Sequence, residues 1–164
     1  MRRGKKGFTI IELIVVMTII MMLAGLVAGA ASSARQRALV ARTRSMIAAI
    51  ETGLGMFQSD LGGYPNSGNT NLYTCLMTNN SVPPGTYRVG AADVTVLPTS
   101  NWAGPYMIFK DNDLTGGNTI IDAWGTPLTY TSPDTSHTGS YIDITSNGPD
   151  KAAGGTDNIT NWSR

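Results

Sequence analysis

The sequence predicts an α+β fold in which one long N-terminal helix packs on a small antiparallel β-sheet. Three observations predict it. No proline occurs before Pro65, so nothing interrupts a helix over residues 8–61. Apolar residues recur every three or four positions through the second half of that stretch. Short β-rich runs bounded by turn residues follow later in the chain.

The N-terminal part of the helix is predicted to span a membrane. A short basic leader ends at Gly7, and the apolar segment that begins at Phe8 contains one carboxylate, Glu12. No charge occurs from Leu13 to Ala34, a length that crosses a bilayer core as a helix. An acid within such a segment costs roughly 2.5–3.5 kcal/mol on insertion and marks a functional residue with a partner.

Two simpler interpretations of this segment are a secretory signal peptide and a plain single-pass anchor. The apolar stretch is about twice as long as an ordinary signal-peptide core. A plain anchor does not require Gly7, Phe8 or Glu12 at these positions.

The helix is predicted to continue past the membrane as an amphipathic segment. It ends where paired glycines and a proline break the period, in the sequence from Asp60 to Pro65. The apolar stripe, which we expect to face the sheet, consists of Leu39, Thr43, Met46, Ile47, Ile50, Leu54, Phe57 and Leu61.

The rest of the chain is predicted to contain loops and about three antiparallel strands. Residues 66–104 are polar and loop-like. The strands are expected at Tyr106–Phe109, Leu128–Tyr130 and Tyr141–Thr145. This order of a long helix followed by strands is an α+β arrangement.

Composition and motif searches argue against an enzyme and against nucleic-acid binding. Beyond residue 45 the chain has four basic and ten acidic residues, an unfavourable balance for binding phosphates. Cys75 is the single cysteine, so no internal disulfide forms, and it is expected to be buried. His137 is the single histidine, and we interpret it as a surface loop residue. No phosphate-binding glycine loop occurs.

A glycine-rich C-terminal loop contains two carboxylates, Asp150 and Asp157. They and nearby backbone carbonyls are hard oxygen ligands of the kind that Ca²⁺ takes. The loop lacks the pattern of an EF-hand. From these residues alone, an ordinary turn of aspartate, glycine and asparagine is favoured over a metal site.

The N-terminal segment from Lys6 to Ile14 resembles the leader of type IV pilins and type II secretion pseudopilins. Further motifs make nearly the whole chain, except residues 66–100, similar to the major pseudopilins of type II secretion. The segments that carry this resemblance are Asp60–Pro65, Trp102–Tyr106, Asp122–Pro127 with Tyr130, and Tyr141–Asp150.

The resemblance implies a pilin-like fold and a processed N-terminus. A prepilin peptidase is expected to cut between Gly7 and Phe8 and to methylate the new amine of Phe8. Glu12 is expected to pair with the Phe8 amine of a neighbouring subunit. The implied organisation is a cleaved leader at 1–7, a membrane and filament-core helix at 8–34, an amphipathic helix half at 35–61 and a periplasmic globular part at 62–164.

At the C-terminal loop, the resemblance favours a metal site over an ordinary turn, because major pseudopilins bind structural calcium there. It implies one Ca²⁺ held by the side chains of Asp150 and Asp157 and the backbone oxygens of Asn147 and Thr156. Ile159 occupies the position at which some relatives have another acid.

The function implied is that of a structural subunit anchored in the inner membrane by one span, with its C-terminal domain in the periplasm. It forms a homopolymer, the periplasmic filament that drives protein export. Its expected partners are the inner-membrane secretion platform, the minor pseudopilins and the membrane, with no nucleic acid. The alternatives are a subunit of a surface or competence pilus and a non-polymerising, membrane-anchored calcium-binding domain.

Overall fold

A computed structural model describes residues 7–77, 85–89, 92–95, 101–132 and 141–162. The chain divides into two compact units, Met1–Ala38 and Leu39–Arg164. Helix α1, Ile10–Leu61, is 52 residues long and contributes to both units. The predicted long N-terminal helix is confirmed. His137 and leader residues 1–6 lie outside the described residues.

The N-terminal unit is the apolar first half of α1. Its large hydrophobic side chains from Phe8 to Leu26 are exposed. Among the described helices, α1 alone is long and apolar enough, by length and composition, to cross a membrane. An exposed apolar surface of this extent requires lipid or another protein to cover it.

In the C-terminal unit, the amphipathic half of α1 buries the predicted stripe. Ile50, Leu54 and Phe57 are completely buried. The helix ends at Leu61 because Gly62 takes a left-handed conformation, with φ of 77°. Its N–H donates to the carbonyl of Gln58 at 2.8 Å, as expected for a glycine that closes a helix.

The strands are short and form three small antiparallel sheets. The first sheet has the order β1-β2-β3, the second pairs β4 with β5, and the third has the order β6-β7-β8. The predicted strands at Leu128–Tyr130 and Tyr141–Thr145 correspond to β6 and β7. The strand bounds are β1 Tyr64–Pro65, β2 Thr86–Val89, β3 Ala92–Thr95, β4 Leu114–Thr115, β5 Thr119–Ile120, β6 Thr129–Thr131, β7 Asp143–Ser146 and β8 Ile159–Thr160.

The prediction that residues 66–104 are loop-like is wrong for much of this region. A second helix, α2, covers Asn69–Met77 and buries Leu72, Cys75 and Leu76. Strands β2 and β3 follow it. The polar composition of this helix suggested a loop, but its asparagines Asn69 and Asn71 bond to the strand residues Ile120 and Thr86. Asn69 donates to the carbonyls of Ile120 and Leu128 and accepts from the N–H of Ile120.

The predicted strand at Tyr106–Phe109 is also wrong, because this segment has no regular structure. It obtains its burial from α1 rather than from a sheet. Tyr106 packs edge-on against Phe57, with ring centroids 5.6 Å apart, and its hydroxyl donates to Asp60 at 2.8 Å. A short 3₁₀-helix, Asp111–Asp113, follows, and Asp113 accepts an ion pair from Arg42 at 2.7 Å.

Asn69 allows a test of how α2 is held. Asn69→Ala leaves the N–H of Ile120 and the C=O of Leu128 without their side-chain partner, whereas the C=O of Ile120 keeps the N–H of Leu128 as a donor. We expect the free energy of unfolding to fall by about 2–3 kcal/mol, since each buried polar group left unpaired costs about 1–3 kcal/mol. Urea unfolding measures it. Thr70→Ala, at an exposed position on the same helix, is the control and should cost under about 0.5 kcal/mol. Equal losses would contradict this role.

The burial of Cys75 predicts a loss of stability at alkaline pH. Burial raises the pKa of this thiol to about 12, from an ordinary value of 9.0. The unfolded thiol therefore ionises in this window while the folded one stays neutral, so the free energy of unfolding falls as pH rises from 9 to 12. Urea unfolding at several pH values measures the slope. Cys75→Ala should reduce the slope, and an unchanged slope would contradict the assignment.

Candidate functional site

The N-terminal candidate residues lie at the start of α1. Gly7, Phe8 and Thr9 precede the helix, and Glu12 lies in its first turn. One carboxylate oxygen of Glu12, Oε2, accepts hydrogen bonds from the N–H of Thr9 at 2.9 Å and from its hydroxyl at 2.8 Å. The Thr9 hydroxyl in turn accepts from the N–H of Glu12 at 3.4 Å. These bonds form a capping box that begins the helix.

This arrangement leaves Glu12 with a second oxygen for another partner. No hydrogen bond within the described residues involves Oε1. The carboxylate borders a groove of about 350 Å³ whose other lining residues are Phe8, Ile11, Val15 and Val16. An apolar groove beside one carboxylate suits a helix surface that presents a cation among apolar side chains.

The C-terminal candidate loop connects two paired strands. Strands β7 and β8 are antiparallel, with Ser146 opposite Ile159, and residues 147–158 form the connection. A turn at its start is closed by the N–H of Lys151, which donates to the carbonyl of Gly148 at 3.2 Å. Lys151 takes a left-handed conformation, with φ of 61°, which is uncommon for a residue with a side chain.

The loop brings Asp150 and Asp157 together. One oxygen of each carboxylate accepts from the backbone: Asp157 Oδ2 from the N–H of Asp150 at 3.1 Å, and Asp150 Oδ1 from the N–H of Ala152 at 2.8 Å. The other oxygens, Asp150 Oδ2 and Asp157 Oδ1, converge at Gly155. Each lies 2.8 Å from the point where a Cβ of residue 155 would be. The two oxygens are therefore no farther apart than twice that distance.

The remaining predicted calcium ligands lie in the same loop without a described role. The side chain of Asn147 donates to the carbonyl of Lys151 at 3.4 Å, and Thr156 is exposed. The described contacts do not involve the backbone oxygens of either residue, so their part stays a prediction. Ile159 is buried in the core, which suits an apolar residue at that position.

The chemistry of the loop fits a hard cation. Within the described residues, no group of three or more histidine, cysteine, aspartate or glutamate side chains is placed to hold a metal ion. Two convergent carboxylate oxygens supplemented by amide and backbone oxygens are a ligand set that Ca²⁺ accepts. The absence of nitrogen and sulfur donors among the candidate ligands disfavours Zn²⁺.

The structure adds two residues that the sequence prediction missed. Thr9 holds Glu12 in place, and the threonine-x-x-glutamate spacing was a signal for it. Asn158 follows Asp157, and its side-chain oxygen is buried with no hydrogen-bond partner in the described part of the chain. A buried amide oxygen without a partner is costly and is available to a cation. No local pattern in the sequence distinguishes it from a turn asparagine.

The chain matches two known sequence families, and both matches agree with the site geometry described above. Residues 2–28 match the prokaryotic N-terminal methylation motif, which covers Gly7, Phe8 and Glu12. This match defines the class: proteins that carry a methylation motif at the start of an apolar helix. Residues 31–162 match the type II secretion system protein G family. The chain belongs to that family, and the predicted resemblance is confirmed.

Individual relatives agree over nearly their full length. Type II secretion system core protein G of Pseudomonas aeruginosa is 32% identical, with 98% of this chain and 97% of the relative covered. The protein of the same name from Klebsiella michiganensis is 29% identical, with 98% and 95% covered. The crystal structure of the major pseudopilin of enterohaemorrhagic Escherichia coli matches with 21% identity and a TM-score of 0.48, over 79% of this chain and 87% of that one.

Proposed function

We propose that this chain is the structural subunit that polymerises into the periplasmic pseudopilus of a type II secretion system. The observation that supports this most directly is the presence of both family matches on one chain: the methylation motif at residues 2–28 and the protein G family at residues 31–162. Relatives that cover nearly all of the chain are named as core proteins of that system.

The proposed assembly begins in the inner membrane. The apolar first half of α1 anchors the subunit there, with the C-terminal unit in the periplasm. A prepilin peptidase removes residues 1–7 and methylates the amine of Phe8. The apolar side chains that lipid covers before assembly then pack against neighbouring copies in the filament. The secretion platform of the inner membrane and the minor pseudopilins are the partners of this process.

Glu12 is proposed to set the register between neighbouring subunits. Thr9 bonds occupy Oε2 of its carboxylate, and Oε1 faces no described partner. The amine of Phe8 from a neighbouring copy supplies the positive charge that offsets the burial of this carboxylate. Such a pair is favourable only if both charges meet, since loss of one leaves the other buried and unpaired.

The processing and pairing of the N-terminus are tested together. Mass spectrometry of the native protein should find a chain that begins at methylated Phe8. Glu12→Ala should lower the sheared filament fraction by roughly tenfold or more, because an uncompensated buried charge costs about 3–5 kcal/mol. Thr18→Ala, an exposed change on the same helix, should assemble normally.

Other outcomes would overturn this proposal. An intact leader on the native protein would favour a non-polymerising anchored domain. Normal assembly of the Glu12→Ala protein would remove the proposed pairing. Deletion of the gene should abolish export of secreted enzymes, whereas loss of motility or transformation with intact export would indicate a surface or competence pilus.

We infer also that the C-terminal loop binds one structural Ca²⁺. The side chains of Asp150 and Asp157 would hold it, with the backbone oxygens of Asn147 and Thr156 and the side-chain oxygen of Asn158 as further ligands. The support is the convergence of two carboxylate oxygens at Gly155. The ion offsets the repulsion between the two carboxylates and fastens a loop for which the chain, with its single cysteine, has no disulfide.

The calcium proposal predicts a stability that depends on the ion. Removal of Ca²⁺ with a chelator should lower the melting temperature of the full chain in detergent, by an amount that grows with the calcium concentration used before chelation. Gly155→Ala should weaken calcium binding, because the new methyl would lie 2.8 Å from both ligand oxygens.

Gly55→Ala is the matched control, because a Cβ there meets no atom within 4 Å. It should leave calcium affinity unchanged and stabilise α1 slightly, since alanine has the higher helix propensity. An identical melting temperature with and without Ca²⁺ in the unmodified chain would contradict the proposal.

A further inference from the structure

Asp122 is a buried carboxylate outside the loop that contacts the loop through one serine. It is 3% exposed. Its Oδ1 accepts from the N–H groups of Trp124 and Thr126, both at 2.9 Å, and its Oδ2 accepts from the hydroxyl of Ser146 at 2.6 Å. The last of these is a short hydrogen bond for a hydroxyl donor.

The hydrogen bonds of Ser146 have a defined direction. Its hydroxyl donates to Oδ2 of Asp122. The same hydroxyl oxygen accepts from the N–H of Gly148 at 3.1 Å. Ser146 is completely buried, so water does not compete for these bonds. Gly148 therefore donates to Ser146, and Ser146 in turn donates to Asp122.

Gly148 is the point at which both calcium-binding carboxylates are oriented. Its φ of 72° is left-handed, and a Cβ at this position would overlap the carbonyl oxygen of Asp157. The backbone of Gly148 thus lies directly against that of Asp157. Its carbonyl accepts the N–H of Lys151, which closes the turn that contains Asp150. Fixing Gly148 fixes both carboxylates relative to each other.

The far end of this chain of bonds is tied to α1. The N–H of Ala123, the residue after Asp122, donates to the hydroxyl of Thr43 at 3.3 Å, and Thr43 is completely buried on the helix. The turn at Asp122 is also closed by its own N–H, which donates to the carbonyl of Thr126 at 2.8 Å. Through the turn at Asp122, the loop is therefore connected to α1.

We propose that Asp122 and Ser146 are positioning residues for the calcium loop: they hold Gly148 where Asp150 and Asp157 converge before the ion binds. This rests on the proposed calcium site. Because these hydrogen bonds already hold the loop in place, the ion has to order less of the loop when it binds. Loss of the bonds from Ser146 and Gly148 therefore weakens calcium binding without removing any ligand. Residues that orient metal ligands from outside typically change affinity by about 10–100-fold when replaced.

The test is calcium titration by calorimetry of the full chain in detergent, together with melting temperatures in Ca²⁺ and in chelator. Ser146→Ala removes the donor to Asp122 and the acceptor of Gly148. Asp122→Asn is the milder change, because it keeps an oxygen for Trp124 and Thr126 but presents an NH₂ group to Ser146. We expect each to raise the Kd for Ca²⁺ by roughly tenfold or more. The difference between the two melting temperatures should shrink accordingly.

Ser132→Ala is the matched control. Ser132 is a buried serine directly after β6, the strand that pairs with β7, and its replacement should leave the Kd for Ca²⁺ unchanged. If Asp122 acts through Ser146, the double variant should bind no more weakly than Ser146→Ala alone. Equal losses of melting temperature in Ca²⁺ and in chelator, with an unchanged Kd in both single variants, would overturn the positioning role. Absence of calcium binding by the unmodified chain would instead overturn the calcium proposal itself.

Discussion

The C-terminal unit depends on the buried stripe along the second half of α1. Its sheets consist of strands of two to four residues, and strands this short are not stable without a surface to pack on. Full burial of each large apolar side chain contributes about 1.5–3 kcal/mol, so the stripe supplies what the strands lack. The strand residues that join the cluster around Ile50, Leu54 and Phe57 are Tyr87, Ile120, Tyr130, Ile144 and Ile159.

Polar side chains form hydrogen bonds with backbone groups that longer strands would otherwise pair. Short ladders leave backbone groups unpaired, and buried unpaired groups are costly. Asn69 bonds to Ile120 and Leu128. Asn161 accepts from the N–H of Ile144 and donates to Glu51 on α1. Because an asparagine side chain both donates and accepts, one residue satisfies the ends of two elements at once. Asp122 joins two segments as an acceptor only, from the N–H groups of Trp124 and Thr126 and from the hydroxyl of Ser146.

Sequence reasoning succeeded where the signal is local and periodic. The stripe on α1, its end at Gly62 and the strands β6 and β7 all follow from spacing and turn residues. It failed between residues 66 and 109, where α2 was missed and a strand was predicted at Tyr106–Phe109. In this region the asparagines and aromatic residues contact residues distant in sequence, such as Ile120 and Phe57. A short stretch of sequence does not contain these contacts, so it does not predict the structure that they stabilise.

The sequence by itself determined the family and the long helix, because the basic leader, Gly7, Phe8 and Glu12 stand at set spacings before an unbroken apolar stretch. Only the tertiary structure decided how those residues are held. Thr9 orients one oxygen of Glu12, and Asp150 and Asp157 converge at Gly155. Ser146 donates to the carboxylate of Asp122, although the two residues are 24 positions apart in the chain. The physical reason is that hydrogen bonds and close packing act through space, whereas periodicity acts along the chain.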